Sequence, residues 1–184
     1  MRERPTSPPA SLAGSLLLAH PVLRDPNFRR TVILMSVHNP EGAMGVVLNR
    51  PTGKHLAQLD EAFALSELAK VPIYHGGPVQ REQLILIAWQ PQPDGFRLHF
   101  GLDAEKASLL TEEPGTQVRG FLGYAGWSAG QLEGEMGQKT WIVAAAPPDL
   151  LQHAPDDSLW SAVLGELDPD WKLLANEPDD TTLN

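Results

Sequence analysis

The sequence predicts an α+β fold, in which a mixed sheet is flanked by helices within a single compact domain. Three observations carry this. Short apolar runs rich in β-branched residues recur at irregular intervals. Few segments between them have helical periodicity, so strands and helices do not alternate as in a simple βαβ series. The 184 residues, 42% of them hydrophobic, suit one domain with a single core, and no internal repeat is visible.

The elements follow in chain order. "SLLLA" (15–19) reads as a buried first strand and "RRTVILMSV" (29–37) as a central one. Asn39-Pro40 and Gly42 give turn chemistry, so "GVVLN" (45–49) could close a hairpin across an eight-residue loop. In residues 55–69, Leu56, Leu59, Phe63 and Leu68 fall near one helical face, predicting a helix. "VPIYHGGPV" is extended and contains a Gly-Gly-Pro turn, and "QLILIAW" (83–89) is a further buried strand. A short strand is expected at 96–100, then a helix capped by Asp103 with Glu105 in its first turn. Residues 118–124 and 139–146 read as strands. Asp156 or Asp157 caps a last helix over "SLWSAVLGEL".

The ends differ in composition from the middle. "MRER" followed by "SLAGSLLLA" imitates a signal peptide. Pro5, Pro8 and Pro9 separate the two parts, and no convincing small-residue cleavage site follows. Residues 1–11 are therefore expected to be a disordered lead, 12–175 the domain and 176–184 an acidic mobile tail. Trp160 and Leu164, then Trp171, Leu173 and Leu174, are expected to anchor the chain before that tail. No run of about 18 apolar residues exists, which predicts no membrane span. The absence of cysteine excludes disulfides and thiol catalysis and suits a reducing, cytoplasmic setting.

"GWSAG" (126–130) matches the G-x-S-x-G pattern of a hydrolase nucleophile elbow, in the strand–turn–helix context that pattern requires. The partners are missing. In the usual order an acid and a histidine follow the serine, but His153 is the only histidine after Ser128. Asp149 is the only intervening acid outside the adjacent helix. The alternative is structural: Ser128 as helix N-cap, with Gln131 three residues on as in a capping box. That reading is preferred, and no catalytic residue is assigned.

Four stretches in order resemble the AlgH/YqgE family, a bacterial family without an established biochemical activity. They are "GSLLLAHPVLRDPNFRRTVILM" (14–35), "HNPEGAMGVVLNRP" (38–51), "HGGPVQRE" (75–82) and "GYAGWSAGQLEGEM" (123–136). The resemblance covers roughly residues 14–165. It implies a domain with a bifurcated sheet, or small barrel, flanked by helices. It also brings a historical label, regulator of alginate synthesis, which describes a cellular effect and not a chemistry. This chain departs from the family pattern at Val37, where a Glu is common, and at Ala88-Trp89, where a His is often found. The Ser128 position often carries a residue that is not a nucleophile.

The shared motifs nominate a candidate ligand pocket: His38, Asn49, Arg50, Gly76, Gly77, Tyr124, Trp127, Gln131 and Glu133. Arg50 could meet a ligand anion, and the glycines could open backbone N–H groups to it. The competing reading makes the same residues internal fasteners, with Asn49 and Gln131 satisfying buried backbone groups and Arg50 paired with Glu133. It is favoured, because buried polar groups need partners whether or not a ligand exists. The six histidines form no close pair of the kind metal sites use, so no metal or other cofactor is expected. The function expected is regulatory and non-catalytic, through an unknown protein partner or a small ligand. The alternatives are a hydrolase built on the loops around Asn49, Gly76 and Trp127, and direct DNA binding.

Net charge is −9, with +3 over residues 1–30 and −7 over 151–184, so no basic segment stands in the core of the chain. Phosphate contacts supply most DNA affinity, which argues against a nucleic-acid partner. Titration of labelled duplex fragments at near-physiological salt should show only sequence-independent binding, no tighter than about 10⁻⁴–10⁻⁶ M.

Overall fold

A computed structural model describes residues 11–175. The expectations for the lead and the tail therefore fall outside the described residues, apart from Ser11. The described residues form nine strands: β1 (Leu16–Ala19), β2 (Val32–Asn39), β3 (Gly42–Val47), β4 (Pro51–His55), β5 (Pro72–His75), β6 (Val79–Gln92), β7 (Gly95–Leu102), β8 (Gln117–Ser128) and β9 (Trp141–Ala144). The helices are α1 (Leu56–Leu59), α2 (Ala104–Thr111), α3 (Gln131–Gly137), α4 (Asp157–Leu167) and α5 (Pro169–Ala175).

The sheet divides at β8. Its last residues, Ala125 to Ser128, pair antiparallel with β3, which continues through β2 and β1 to β9. Its earlier residues pair parallel with β5 on one edge and antiparallel with β6 on the other, and β6 carries β7. One long strand thus belongs to two half-sheets, which gives the curled, bifurcated form expected from the resemblance.

Gly123 makes the division possible. Its φ of +76 lies in the left-handed region. A Cβ there would sit 2.6 Å from the Gly77 carbonyl oxygen and 2.8 Å from that of Val79. Reciprocally, a Cβ on Gly77 would sit 2.2 Å from the Tyr124 carbonyl, and one on Gly76 would lie 2.3 Å from the Gly123 oxygen. Two segments far apart in sequence cross backbone to backbone, with no room for a side chain on either.

Several strands are buried on both faces, which explains their unbroken apolar runs. In β1, Leu16 and Leu18 enter one core cluster, with Trp89, Phe121, Trp160 and Leu164, while Leu17 and Ala19 enter another, with Ile33, Trp127 and Trp141. A third cluster joins Leu56, Leu68, Ile73, Leu86 and Ala107 under α1 and α2. Arg119 is a buried cation held over the rings of Tyr74 and Trp89, at 5.4 and 5.6 Å. Burial lowers its pKa, with a smaller opposing effect from Tyr74.

The predicted helix over 55–69 is mostly absent. Asp60 ends α1 in an extended conformation and turns its carboxylate to the Ala62 N–H, starting a short 3₁₀ turn. Leu56 and Leu68 are buried as expected, but Leu59 and Leu65 face solvent. The predicted loop after residue 37 is also shorter. Asn39 pairs with Gly42, and the Asn39 side chain accepts the Glu41 N–H at 2.8 Å, so Pro40-Glu41 alone makes the turn. The two caps behaved as expected: Asp103 accepts from Lys106 N–H, and Asp156 from Ser158 N–H.

At the C-terminal end Trp171 packs on the main core and meets the His20 ring edge-on at 5.3 Å. Leu173 and Leu174 are exposed, contrary to expectation, because α5 turns only Trp171 and Ala175, one helical turn apart, toward the body. Trp160 is the main anchor: it is 1% exposed, and its indole N–H donates to the Ala19 carbonyl at 2.9 Å. Trp160→Ala should lower unfolding free energy by about 3–5 kcal/mol in urea titrations, through the cavity and the orphaned carbonyl.

Candidate functional site

The nine candidate residues do not converge on one pocket. They fall into four places.

The first is a polar network over α3. The His38 Nδ1 accepts the Leu12 N–H at 3.0 Å, which leaves Nε2–H to donate to the Glu133 carboxylate at 2.7 Å. Both ring nitrogens are therefore used. The hydrogen bond from His38, reinforced by the Glu133 backbone N–H, holds the Glu133 carboxyl below its ordinary value. The predicted pairing of Arg50 with Glu133 does not form, since His38 occupies the carboxylate and Arg50 bonds elsewhere. Gln131 accepts from the Ser128 N–H at 3.0 Å and from its hydroxyl at 3.2 Å, and donates to Glu135 at 3.3 Å. Trp127 donates its indole N–H to Glu135 at 2.7 Å, and Trp141 to the same oxygen at 2.9 Å. Glu135 was not singled out from the sequence. The tryptophans on either side of the helix, Trp127 and Trp141, were its signal, because a buried indole N–H requires an acceptor.

Ser128 is the last residue of β8, and the N-cap of α3 is Gly130, which makes no side-chain capping bond. The N-cap assignment for Ser128 is therefore corrected. Only the Gln131 half of the expected box is present, reaching back to the Ser128 N–H. Extending the strand to Ser128 lets it pair with Gly42, and that moves the helix start two residues on. No histidine is among the hydrogen-bond partners of Ser128, and its backbone is not among the positive-φ positions.

The second place is Asn49, which is 1% exposed. Its carbonyl accepts the Val32 N–H at 3.0 Å, and its amide donates to the carbonyls of Arg30 at 2.8 Å and Asp156 at 3.3 Å. It fastens the start of β2 and the α4 cap to the end of β3. The third is a cleft at Arg50 and Gly77, beside the crossing that Gly76 shares. Arg50 donates through Nη2 to the Arg29 carbonyl, while its buried Nε has no partner. The fourth is an open groove of 440 Å³ inside the curl of the sheet, reached by Tyr124. Asp149, His153 and Glu166 form a separate group whose donor atoms lie within 4.8 Å of one another. Its sequence signal was the spacing of four residues between Asp149 and His153, whose side chains the 3₁₀ turn Leu150–Gln152 brings to within 3.2 Å.

The comparisons with known proteins agree with the curled sheet and its shared strand. A family model described as AlgH-like (DUF179) matches residues 16–172. The chain belongs to the AlgH-like family. Among curated relatives it is 37% identical over 188 residues to a UPF0301 protein of Streptomyces avermitilis, covering 95% of this chain and 96% of the relative. It is equally 37% identical over 182 residues to a UPF0301 protein of Chlorobium luteolum, covering 94% of each. The solution structure of the AlgH protein from Pseudomonas aeruginosa superposes with a TM-score of 0.67 at 30% identity, covering 96% of this chain and all of that one. A crystal structure of a Corynebacterium diphtheriae protein has a TM-score of 0.68 at 22% identity over 96% of this chain, and shows the same fold. No helix among the described residues of this AlgH-like chain is long and apolar enough to cross a membrane.

Because the folded Glu133 carboxyl sits below its ordinary value of 4.5, its contribution to stability is complete above that value and disappears as pH falls through the lower folded one. Urea titrations between about pH 3 and pH 6 should show a smaller acid-side loss of stability for Glu133→Gln than for the unaltered chain.

Proposed function

We propose that this AlgH-like chain is a non-catalytic, cytoplasmic domain with a regulatory role, acting through a small, largely apolar ligand held in the groove of the curled sheet. The groove itself carries the reading. Val37, Met44, Ile85, Phe100 and Tyr124 line 440 Å³ of open space, with the amides of Gln80 and Gln83 and the hydroxyl of Ser36 among them. This volume and this mixture of an apolar wall with few polar groups suit a small organic molecule. Val37, one of the lining residues, is an apolar side chain left 45% exposed.

Two observations support a role without catalysis. His38 has both nitrogens engaged, and Gln131 and Trp127 are bound to Glu135. Ser128 has Gln131 as its side-chain partner, and an amide cannot act as its general base. The hydrolase alternative therefore has a serine without a base, and the DNA-binding alternative has a chain of net charge −9. Absence of cysteine supports the reducing compartment.

Titration with the neutral dye Nile red should give saturable binding of one dye per chain. Val37→Glu, which places a charge at the exposed lip, should abolish it while leaving the melting temperature unchanged. Equal dye binding by that variant would remove the groove from consideration. A fluorophosphonate probe should leave Ser128 unlabelled, and labelling there would return the hydrolase reading to first place.

A further inference from the structure

The cleft beside the glycine crossing has a chemistry different from the apolar groove. Eight residues from three separate segments line its 280 Å³, among them Pro26, Asn27, Arg50, His75, Gly77 and Arg81. The acids Asp156 and Asp157 line the adjoining space that Arg50 and His75 also border, but of these eight residues two are guanidinium-bearing, one is an imidazole, and none is acidic. This is notable in a chain of net charge −9, whose folded body would be expected to scatter its cations among acids.

Each wall is fixed in place by backbone contacts. The Asp25 carboxylate accepts the Asn27 N–H at 2.8 Å, holding the first turn. The His75 N–H donates to the Arg50 carbonyl at 2.8 Å, and the Val47 N–H to that of Gly76 at 2.9 Å, which ties the second wall to the third. Arg81 stands on an irregular stretch of β6 where the register with β8 shifts between Val79 and Leu84, and the preceding Gln80 takes a left-handed φ of +47. Such a bulge re-aims the side chains around it. The bare Gly123 lets the Arg81 backbone come close, since a Cβ there would be 3.1 Å from the Arg81 Cα. Arg81 then donates through Nη2 to the side-chain oxygen Oδ1 of Asn27 at 3.4 Å.

Arg50 supplies the second observation. Its Nη2 is committed to the Arg29 carbonyl, yet its Nε is buried and has no hydrogen-bond partner. Buried guanidinium donors are ordinarily satisfied. We infer that the cleft between Arg50, His75 and Arg81 binds a phosphate group, either free phosphate or the phosphate of a small monoester. Two guanidinium groups match the two negative charges of a phosphate, and donors arriving from three segments suit its tetrahedral oxygens better than the planar pair of a carboxylate.

The test is titration of the full-length protein with inorganic phosphate at constant ionic strength, followed by proton–nitrogen NMR. Saturable shifts are expected at the backbone amides of His75, Gly77 and Arg81. Arg50→Lys keeps the charge but removes the fork, and Arg81→Gln alters only an exposed side chain. Each should weaken phosphate binding about tenfold or more. Arg81→Gln also guards against a folding defect in the Arg50 variant. Phenyl phosphate in a parallel titration distinguishes the two sources: tighter binding than phosphate marks an ester site, and equal or weaker binding marks free phosphate. Shifts that grow linearly with concentration, that acetate reproduces at equal ionic strength, or that persist unchanged in Arg81→Gln would overturn the inference.

Discussion

The rest of the structure depends on a backbone crossing that only glycine permits. Gly76 and Gly77 lie against Gly123 and Tyr124, with virtual Cβ positions 2.2–2.6 Å from the opposing backbone. No rotamer change could relieve such contacts, because the opposing atoms are main chain. The crossing brings the β5–β6 junction onto β8 at the point where β8 leaves one half-sheet for the other. Without it, β8 could not pair with β5 and β6 over its first part and with β3 over its last.

Both cavities that matter are consequences of this arrangement. Curling the sheet about β8 leaves an apolar groove on the inner side, with Tyr124 immediately after the pivot. The same pivot holds the β5–β6 junction beside the end of β3, and so sets His75, Gly77 and Arg81 opposite Arg50. The left-handed Gln80 belongs to the same region. Local strain of this sort persists where the surrounding structure over-determines it. Here the surrounding structure is the glycine crossing and the β6–β8 ladder.

The polar residues of the shared motifs divide by what surrounds them. Asn49 is enclosed, and its three hydrogen bonds join the start of β2, the α4 cap and the end of β3. Glu135 joins two indoles whose rings meet edge-on at 5.9 Å. His38 is fixed in one tautomer by a backbone donor on one side and a carboxylate on the other. These are costs of burying polar groups, offset locally. Arg50 is the exception, with one donor satisfied and another left over.

The sequence by itself determined the secondary elements that rest on local chemistry. The apolar run at Leu16–Ala19, the Asp103 and Asp156 caps and the buried Trp160 follow from periodicity and capping, which need no distant partner. The Gly-Gly-Pro turn and the glycine-bearing stretch 123–136 were also visible in the sequence. Only the tertiary structure decided what those glycines are for, because the 2.2 Å approach involves Gly77 and Tyr124, 47 positions apart. Tertiary pairing likewise carried β8 through Ser128 and displaced the expected cap, since hydrogen bonds to Gly42 were available there. The break in the predicted helix at Asp60 was local instead, made by a carboxylate that turned to the Ala62 N–H two residues on. The candidate residues were read from motifs as one cluster, and the fold set them in four places. Adjacency in sequence fixes which residues share a segment, but the path of β8 fixes which segments share a wall.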